Sequence, residues 1–267
     1  MSIIFILGFI AAAFIGISLG LIGSGGSILT MPVLVYMMGI DPIVATAYSL
    51  FIVGSTALVG GIRSLLLKQV NIKAVFLFGI PAVISVFVTR KFLVPLIPEV
   101  IFSNELITIT RGLMVMVLFA FLMVTAAYFM IKKPKEKAIE KTKKTGTRRY
   151  YVILLEGLIV GAVTGLLGAG GGFLIIPALV LLSGLSMREA VGTSLLIIAI
   201  KSLIGFTGDI GQTPIDWWFL IGVSILPVLG IFLGTWLRGK IAGDRLRPLF
   251  GWFVLIMGIF IILKEII

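Results

Sequence analysis

Residues 20–32 read GLIGSGGSILTMP, and residues 165–177 read GLLGAGGGFLIIP. Two glycine clusters, each followed by a proline, thus occupy the same place in two similar apolar segments 145 residues apart. Sliding the chain against itself by that offset pairs 16–60 with 161–205, and seventeen of the forty-five positions are identical. Among them are Gly16/Gly161, Gly20/Gly165, Gly23/Gly168, Gly25/Gly170, Gly26/Gly171, Pro32/Pro177, Gly39/Gly184, Ser49/Ser194 and Gly60/Gly205. With one extra residue, Pro81 then meets Pro227 and Thr89 meets Thr235. Shared hydrophobicity does not align glycines and prolines, so the chain is a tandem repeat of roughly 130 residues.

The repeat is written in membrane-protein composition. Of 267 residues, 60% are hydrophobic and 12% charged, and the mean hydropathy is +1.23. Long apolar runs separated by short polar patches leave almost nothing for a soluble domain. The opening MSIIFILGFIAAAFIGISLG lacks the positive start of a signal peptide and runs into the first glycine cluster, so it reads as a retained first helix. The formal charge of +11 is concentrated in KKPKEKAIEKTKKTGTRR, residues 132–149, with nine Lys or Arg against Glu136 and Glu140. Such a loop is a cytoplasmic anchor facing the lipid surface. No aromatic residues interleave with its charges to stack on bases, which argues against nucleic acid. The chain has no cysteine and no histidine. That removes thiol chemistry, imidazole relays and zinc sites, and no cofactor or metal is expected.

Each copy divides into five apolar segments, near 3–19, 27–39, 43–62, 72–91 and 106–131, then 151–167, 172–184, 187–206, 217–237 and 248–264. The second of each copy is about thirteen residues, or roughly 20 Å of helix, too short for ~30 Å of hydrocarbon. It should form a re-entrant hairpin or a broken helix with the segment before it, leaving an odd number of crossings per copy. An odd number turns the second copy upside down. The expected fold is therefore an all-α integral membrane protein with two inverted-topology repeats, 1–131 and 150–267, containing broken or re-entrant helices and joined by the basic loop 132–149.

Loop charges agree with inversion. Before the fourth segment, copy one carries Arg63, Lys68 and Lys73 where copy two carries Asp209 and Asp216. Before the last segment, Arg90, Lys91 and Arg111 are diluted by Glu99 and Glu105, whereas copy two has Arg238, Lys240, Arg245 and Arg247 against Asp244. Placing 62–73, 132–149 and 238–247 in the cytoplasm satisfies the positive-inside rule, with both termini outside.

Non-helical backbone within a bilayer survives only where protein buries it or where it lines a watery cavity. Glycine permits the break and a close approach to it, and the short helix that follows aims free N–H groups and its positive dipole end at the gap. Two inverted copies bring two such ends together near the midplane, as in carriers of anionic groups. The first cluster supplies Gly23, Ser24, Gly25, Gly26 and Ser27; the second supplies Gly168, Gly170, Gly171 and Gly172. Gly16/Gly20 and Gly161/Gly165 are also GxxxG pairs, whose ordinary task is helix packing. Neither cluster is a P-loop or a complete dinucleotide fingerprint.

Dipoles contribute only about 0.3–2 kcal/mol each, so an anion needs further donors. ATAYS offers Thr46, Tyr48 and Ser49, and VGTS offers Thr193 and Ser194, although hydroxyls in membrane helices also bond the preceding turn. Lys201 lies inside SLLIIAIKSLIGF, where copy one has Thr56. A charge at such a place costs about 2.5–3.5 kcal/mol and marks a functional site; the competing reading is snorkelling to the outer surface, toward Asp209. Ser186 and Glu189 form a capping box, Asp216 and Asn71 are N-caps, and Asp41-Pro42 starts a helix. Glu156 has no such explanation and is either a proton carrier or an interfacial acid.

The doubled motif, with ATAYSL and VGTSLL further on, resembles the sulfite exporter TauE/SafE family, also called the TSUP family, over essentially the whole chain. The resemblance implies a multi-pass permease of the bacterial inner membrane that moves sulfite, organosulfonates such as taurine or sulfoacetate, or related sulfur-containing anions, with export as the named activity. Thiosulfate uptake that relies on membrane cysteines is disfavoured by their absence. The alternatives are an anion channel and a membrane enzyme of the pyrophosphate phosphatase kind. The enzyme would need clustered acids and arginines at midplane, which the sequence lacks.

Overall fold

The computed structural model describes residues 3–23, 25–103, 108–132, 147–181, 183–238 and 243–266. Ser24, Glu105 and the greater part of the loop 132–149 lie outside them. In the first copy, helix α1 spans Ile3–Ile22 and ends at the GSGG break. A short helical run, α2, follows as a 3₁₀ turn Gly25–Leu29, one α turn Thr30–Pro32 and a π turn Val33–Met37. Helices α3 (Pro42–Leu66), α4 (Ile72–Val88) and α5 (Arg111–Ile131) complete that copy. The second copy repeats the order: α6 (Thr147–Leu167), α7 (Gly172–Leu181), α8 (Met187–Thr207), α9 (Trp217–Arg238) and α10 (Gly243–Ile266).

Seven helices are long and apolar enough to cross a membrane, and α2 and the apolar part of α6, Tyr151–Leu167, are shorter. The chain is a multi-pass, all-α membrane protein. Large side chains such as Phe14, Phe76, Phe121, Leu229 and Ile256 are exposed on the outside of the bundle. Such a surface is tolerated because lipid covers it.

Local chemistry sets the helix starts. Asp41 Oδ1 accepts from the N–H groups of Ile43 (2.9 Å) and Val44 (3.3 Å), with Pro42 pre-set at the first helical position. Asn71 accepts from Ala74 N (3.0 Å), Asp216 accepts from Phe219 N (3.0 Å), and Ser186 and Glu189 close a capping box.

The fourth segment differs from the expected 72–91. A π turn Thr89–Leu93 and a last α turn Val94–Leu96 carry α4 straight on to Leu96, so Arg90 and Lys91 belong to the helix and not to a loop. Beyond it, Val100–Ser103 (β1) pairs antiparallel with Thr108–Thr110 (β2), a hairpin whose second strand falls inside the expected fifth segment 106–131, so that α5 starts only at Arg111.

Packing between the copies is reciprocal. Helix α1 lies on α9 and α6 on α4, while α3 lies on α8 and α5 on α10. Gly16 packs on Pro227 and Gly20 on Thr235; their counterparts Gly161 and Gly165 pack on Ala82 and Thr89. Small residues let these backbones approach closely. Gly54 faces Leu203 and Gly61 faces Leu196, so α3 and α8, which hold corresponding places in the two copies, run antiparallel. Gly258 facing Met123 and Val124 and Gly251 facing Met130 give α5 and α10 the same sense.

Two hydrogen bonds repeat that exchange. The N–H of the cap residue Asn71 donates to Thr193 Oγ1 (2.9 Å), and the N–H of the cap residue Asp216 donates to Tyr48 Oη (2.7 Å). Tyr48 and Thr193 correspond at the 145-residue offset, as do Asn71 and Asp216.

Candidate functional site

The site is built where the second copy breaks. Gly168 (φ +66°) and Gly171 (φ +67°) adopt left-handed backbone between α6 and α7; Gly168 matches its counterpart Gly23 (φ +88°), whereas Gly26, the counterpart of Gly171, is not left-handed. An L side chain at such an angle costs about 1–2 kcal/mol. Space is equally restrictive: a Cβ on Gly168 would run into the backbone of Thr46, and one on Gly23 into Val191. Thr46 and Val191 are themselves counterparts.

Across from the second break lies the first cluster. A Cβ on Gly170 would meet Ser27 and Val53, so the two motifs touch through Ser27. Ser27 is fully buried. Gly26 packs on the α1 backbone at Ile15 and Leu19, Gly25 opens the 3₁₀ turn of α2, and Gly172 opens α7.

Lys201 is fully buried, and its Nζ donates to Thr164 Oγ1 (2.6 Å). A Cβ on Gly171 would stand 3.1 Å from the same Nζ, which places the ammonium against the break. It does not snorkel, and its pairing with Asp209 does not occur. Asp209 is taken by Arg90, whose Nε donates to Oδ2 (2.8 Å) while Nη2 lies 2.5 Å from Oδ1. That is the ion pair found among the described residues, so Lys201 has a hydroxyl partner but no carboxylate.

Arg90 escapes a reading of loop charges because it stands at the edge of the expected fourth segment. Its signal was the apolar sequence on both sides, VFVT before and FLVPLIP after Lys91. Thr164, the other residue not anticipated, stands where copy one has Leu19.

The remaining hydroxyls divide by what already occupies them. Thr46 Oγ1 donates to Ile43 O (2.6 Å) and accepts from Arg90 Nη1 (2.8 Å). Ser194 Oγ bonds back to Val191 O (2.9 Å). Tyr48 and Thr193 accept from the cap residues described above. Ser49 and Ser202 are fully buried with hydroxyl oxygens that have no partner. A buried unpaired donor costs about 1–3 kcal/mol, which a ligand can recover.

The two breaks share the left-handed glycine pair Gly23/Gly168 but differ beyond it and in lining. Around the second stand Thr46, Thr164, Arg90 and Lys201, where the sequence of the other copy has Val191, Leu19, Trp236 and Thr56. A break with cationic side chains on one side can hold an anion. Among the described residues no group of Asp, Glu, His or Cys is arranged to bind a metal ion.

Paired helix breaks held inside an apolar, multi-pass bundle are the architecture of a membrane transporter. The chain belongs to the sulfite exporter TauE/SafE family, which it matches over residues 7–261. It is 25% identical over 254 residues to a probable membrane transporter protein of Xylella fastidiosa, covering 94% of this chain and 92% of that one. A probable membrane transporter protein of Methanocaldococcus jannaschii is 26% identical over 278 residues, covering 98% and 96%. The Bacillus subtilis probable membrane transporter protein YunE is 26% identical over 239 residues, covering 83% and 81%. No solved structure matches the chain.

Proposed function

We propose that the protein is a secondary transporter that exports sulfite, organosulfonates or related sulfur-containing anions across the bacterial inner membrane, and that it is not an enzyme. The observation that carries this reading is Lys201, a fully buried amino group with no acid beside it among the described residues, held against the glycine break of the second copy. An isolated buried cation is costly, and an anion arriving beside it recovers that cost. The groups assigned to the anion are Lys201, Ser27, Ser49 and the backbone at Gly170, Gly171 and Gly172, with Thr46 held beside them by Arg90 and with Gly23, Gly25 and Gly26 of the first cluster on the other side. Tyr48, Thr193 and Ser194 support the helices that carry these groups. The sulfur chemistry comes from the family description, and export is the direction in which an inside-negative potential drives an anion.

The antiparallel run of α3 against α8 and of α5 against α10 supports two inverted copies, 1–131 and 150–267, joined by a cytoplasmic loop 132–149 with both termini outside. The test of function is a thermal-shift screen of the purified protein against sulfite, sulfate, thiosulfate, taurine, sulfoacetate and chloride. A ligand at a hundred times its Kd raises stability by about 2.7 kcal/mol. Selective stabilisation by a sulfur-containing oxyanion, lost in Lys201→Met, is the expected result. Silence from all of them, or an equal shift in the variant, overturns the assignment of Lys201.

A further inference from the structure

Arg90 is, with Lys201, a buried basic residue among those described, and its one guanidinium joins four elements. It projects from the π turn Thr89–Leu93 at the end of α4 and is 1% exposed. Besides gripping Asp209 in the turn after α8, its Nη1 donates to Thr46 Oγ1 of α3 (2.8 Å) and to Gly165 O of α6 (3.3 Å). Gly165 opens the second glycine motif, and Thr46 is the residue on which Gly168 packs. Arg90 thus borders the same break as Lys201, on the side of the surface turn 208–216. Gln212 Nε2 donates to Lys91 O (3.2 Å) and holds that turn on the π turn. Single π turns inside helices concentrate at functional sites.

We propose that Arg90 is a second anion site in series with Lys201, and that Asp209 takes up a proton when an anion displaces it from Arg90, so that anion and proton occupy the protein together. The inference rests on the reading of the second break as the anion path. Asp209 is 3% exposed, and a buried carboxylate stripped of its guanidinium is strongly disfavoured. Protonation removes the charge, whereas Arg90 has no accessible deprotonated form. The proton comes from water at the turn 208–216 and goes to a carboxylate oxygen of Asp209. The Arg90–Asp209 pair breaks, an Arg90–anion pair forms, and release of the anion reverses both changes.

Two titratable groups stand on this path, Asp209 beside Arg90 and Lys201 beside the break, and the variant Asp209→Asn separates them. Helix α3 carries no charged residue between Asp41 and Arg63, and α6 carries none after Glu156. The charges of α4 beside it are Arg90 and Lys91, and α8 contributes Lys201 deeper in the bundle. Burial pushes the Asp209 carboxyl above its usual range, and the neighbouring Arg90 offsets this only in part.

The experiment is calorimetric binding of sulfoacetate, in buffers of different ionisation enthalpy. Both acidic groups of this probe stay ionised between about pH 6 and about pH 8, so any proton taken up belongs to the protein. The wild-type chain should take up about one proton per anion and bind about tenfold tighter for each unit fall in pH. Asp209→Asn, which keeps one oxygen to accept from Arg90 and loses the titratable carboxylate, should bind with no proton uptake and no pH slope; Arg90→Lys retains the charge and should retain both. Binding by the wild type without proton uptake, or an unchanged slope in Asp209→Asn, overturns the inference while leaving the anion site intact. No binding at all by the wild type removes the organosulfonate reading beneath it.

Discussion

At the scale of single residues, Lys201 separates stability from function with one substitution. Methionine matches its length without the charge, and Thr164 keeps its bond to Gly161 O (3.3 Å) when the ammonium leaves. Lys201→Met should therefore lose no thermal stability and gain up to about 3 kcal/mol, the cost of an isolated charge in hydrocarbon. Anion-dependent stabilisation should fall at least tenfold in concentration terms, since a charge-assisted hydrogen bond contributes about 1.5–3 kcal/mol. Melting curves with and without sulfite check both halves; a destabilised variant with unchanged anion response would make Lys201 a structural residue. Arg90 behaves oppositely. Arg90→Met leaves Asp209 buried and unpaired, and should cost about 3–5 kcal/mol at neutral pH in the same melting assay. Lys201 was visible in the sequence because a charge inside SLLIIAIKSLIGF has no ordinary explanation. Arg90 was not, because a charge near the end of an apolar run looks the same whether the helix stops or continues through a π turn.

At the scale of elements, the two reciprocal tethers hold α4 on α8 and α9 on α3. Each spends a hydroxyl on a cap residue's backbone N–H that has no partner inside its own helix. Tyr48→Phe and Thr193→Val should each lower stability by about 0.5–1.5 kcal/mol and leave sulfite affinity where it was. A large affinity loss in either would return these hydroxyls to the anion. The break itself is more sensitive: Gly168→Ala combines left-handed backbone with a clash against Thr46, so it should fail to yield folded protein, whereas Gly39→Ala should cost only the backbone term of about 1–2 kcal/mol. Size-exclusion profiles of the purified variants decide between these outcomes. Element starts were legible because capping chemistry is local, as Asp41, Asn71, Ser186 and Asp216 show. The extension of α4 to Leu96 and the hairpin Val100–Ser103 with Thr108–Thr110 were not. The first depends on how the chain continues through a π turn, and the second lies in β-branched and aromatic residues that read equally well as the edge of a membrane segment.

At the scale of the whole molecule, inversion is a statement about which loops face which side, and the chain is well suited to test it. It contains no cysteine, so a single introduced thiol is the only one present. Lys68, in the turn between α3 and α4, and Gln212, in the turn between α8 and α9, occupy corresponding connections of the two copies. Both are exposed. If α3 and α8 are the same element turned over, these two turns lie on opposite faces of the membrane. With Arg63 and Lys68 in the first turn and Asp209 and Asp216 in the second, the positive-inside rule predicts the first in the cytoplasm and the second outside. In intact cells a membrane-impermeant maleimide should label Gln212→Cys at once and Lys68→Cys only after permeabilisation. Labelling of both from the same side would place α3 and α8 in the same orientation, contradict their antiparallel packing and dissolve the two-fold relation of the glycine breaks. Opposite sidedness also fixes the geometry of transport, because the turn over Arg90 and Asp209 then faces the outer solution. An anion leaving the second break outward passes Arg90 last, where its release returns to the outer solution the proton that Asp209 took from it, so no proton crosses the membrane with the anion. Acidifying the outer solution should therefore slow efflux of sulfoacetate from preloaded proteoliposomes and leave efflux through Asp209→Asn unchanged.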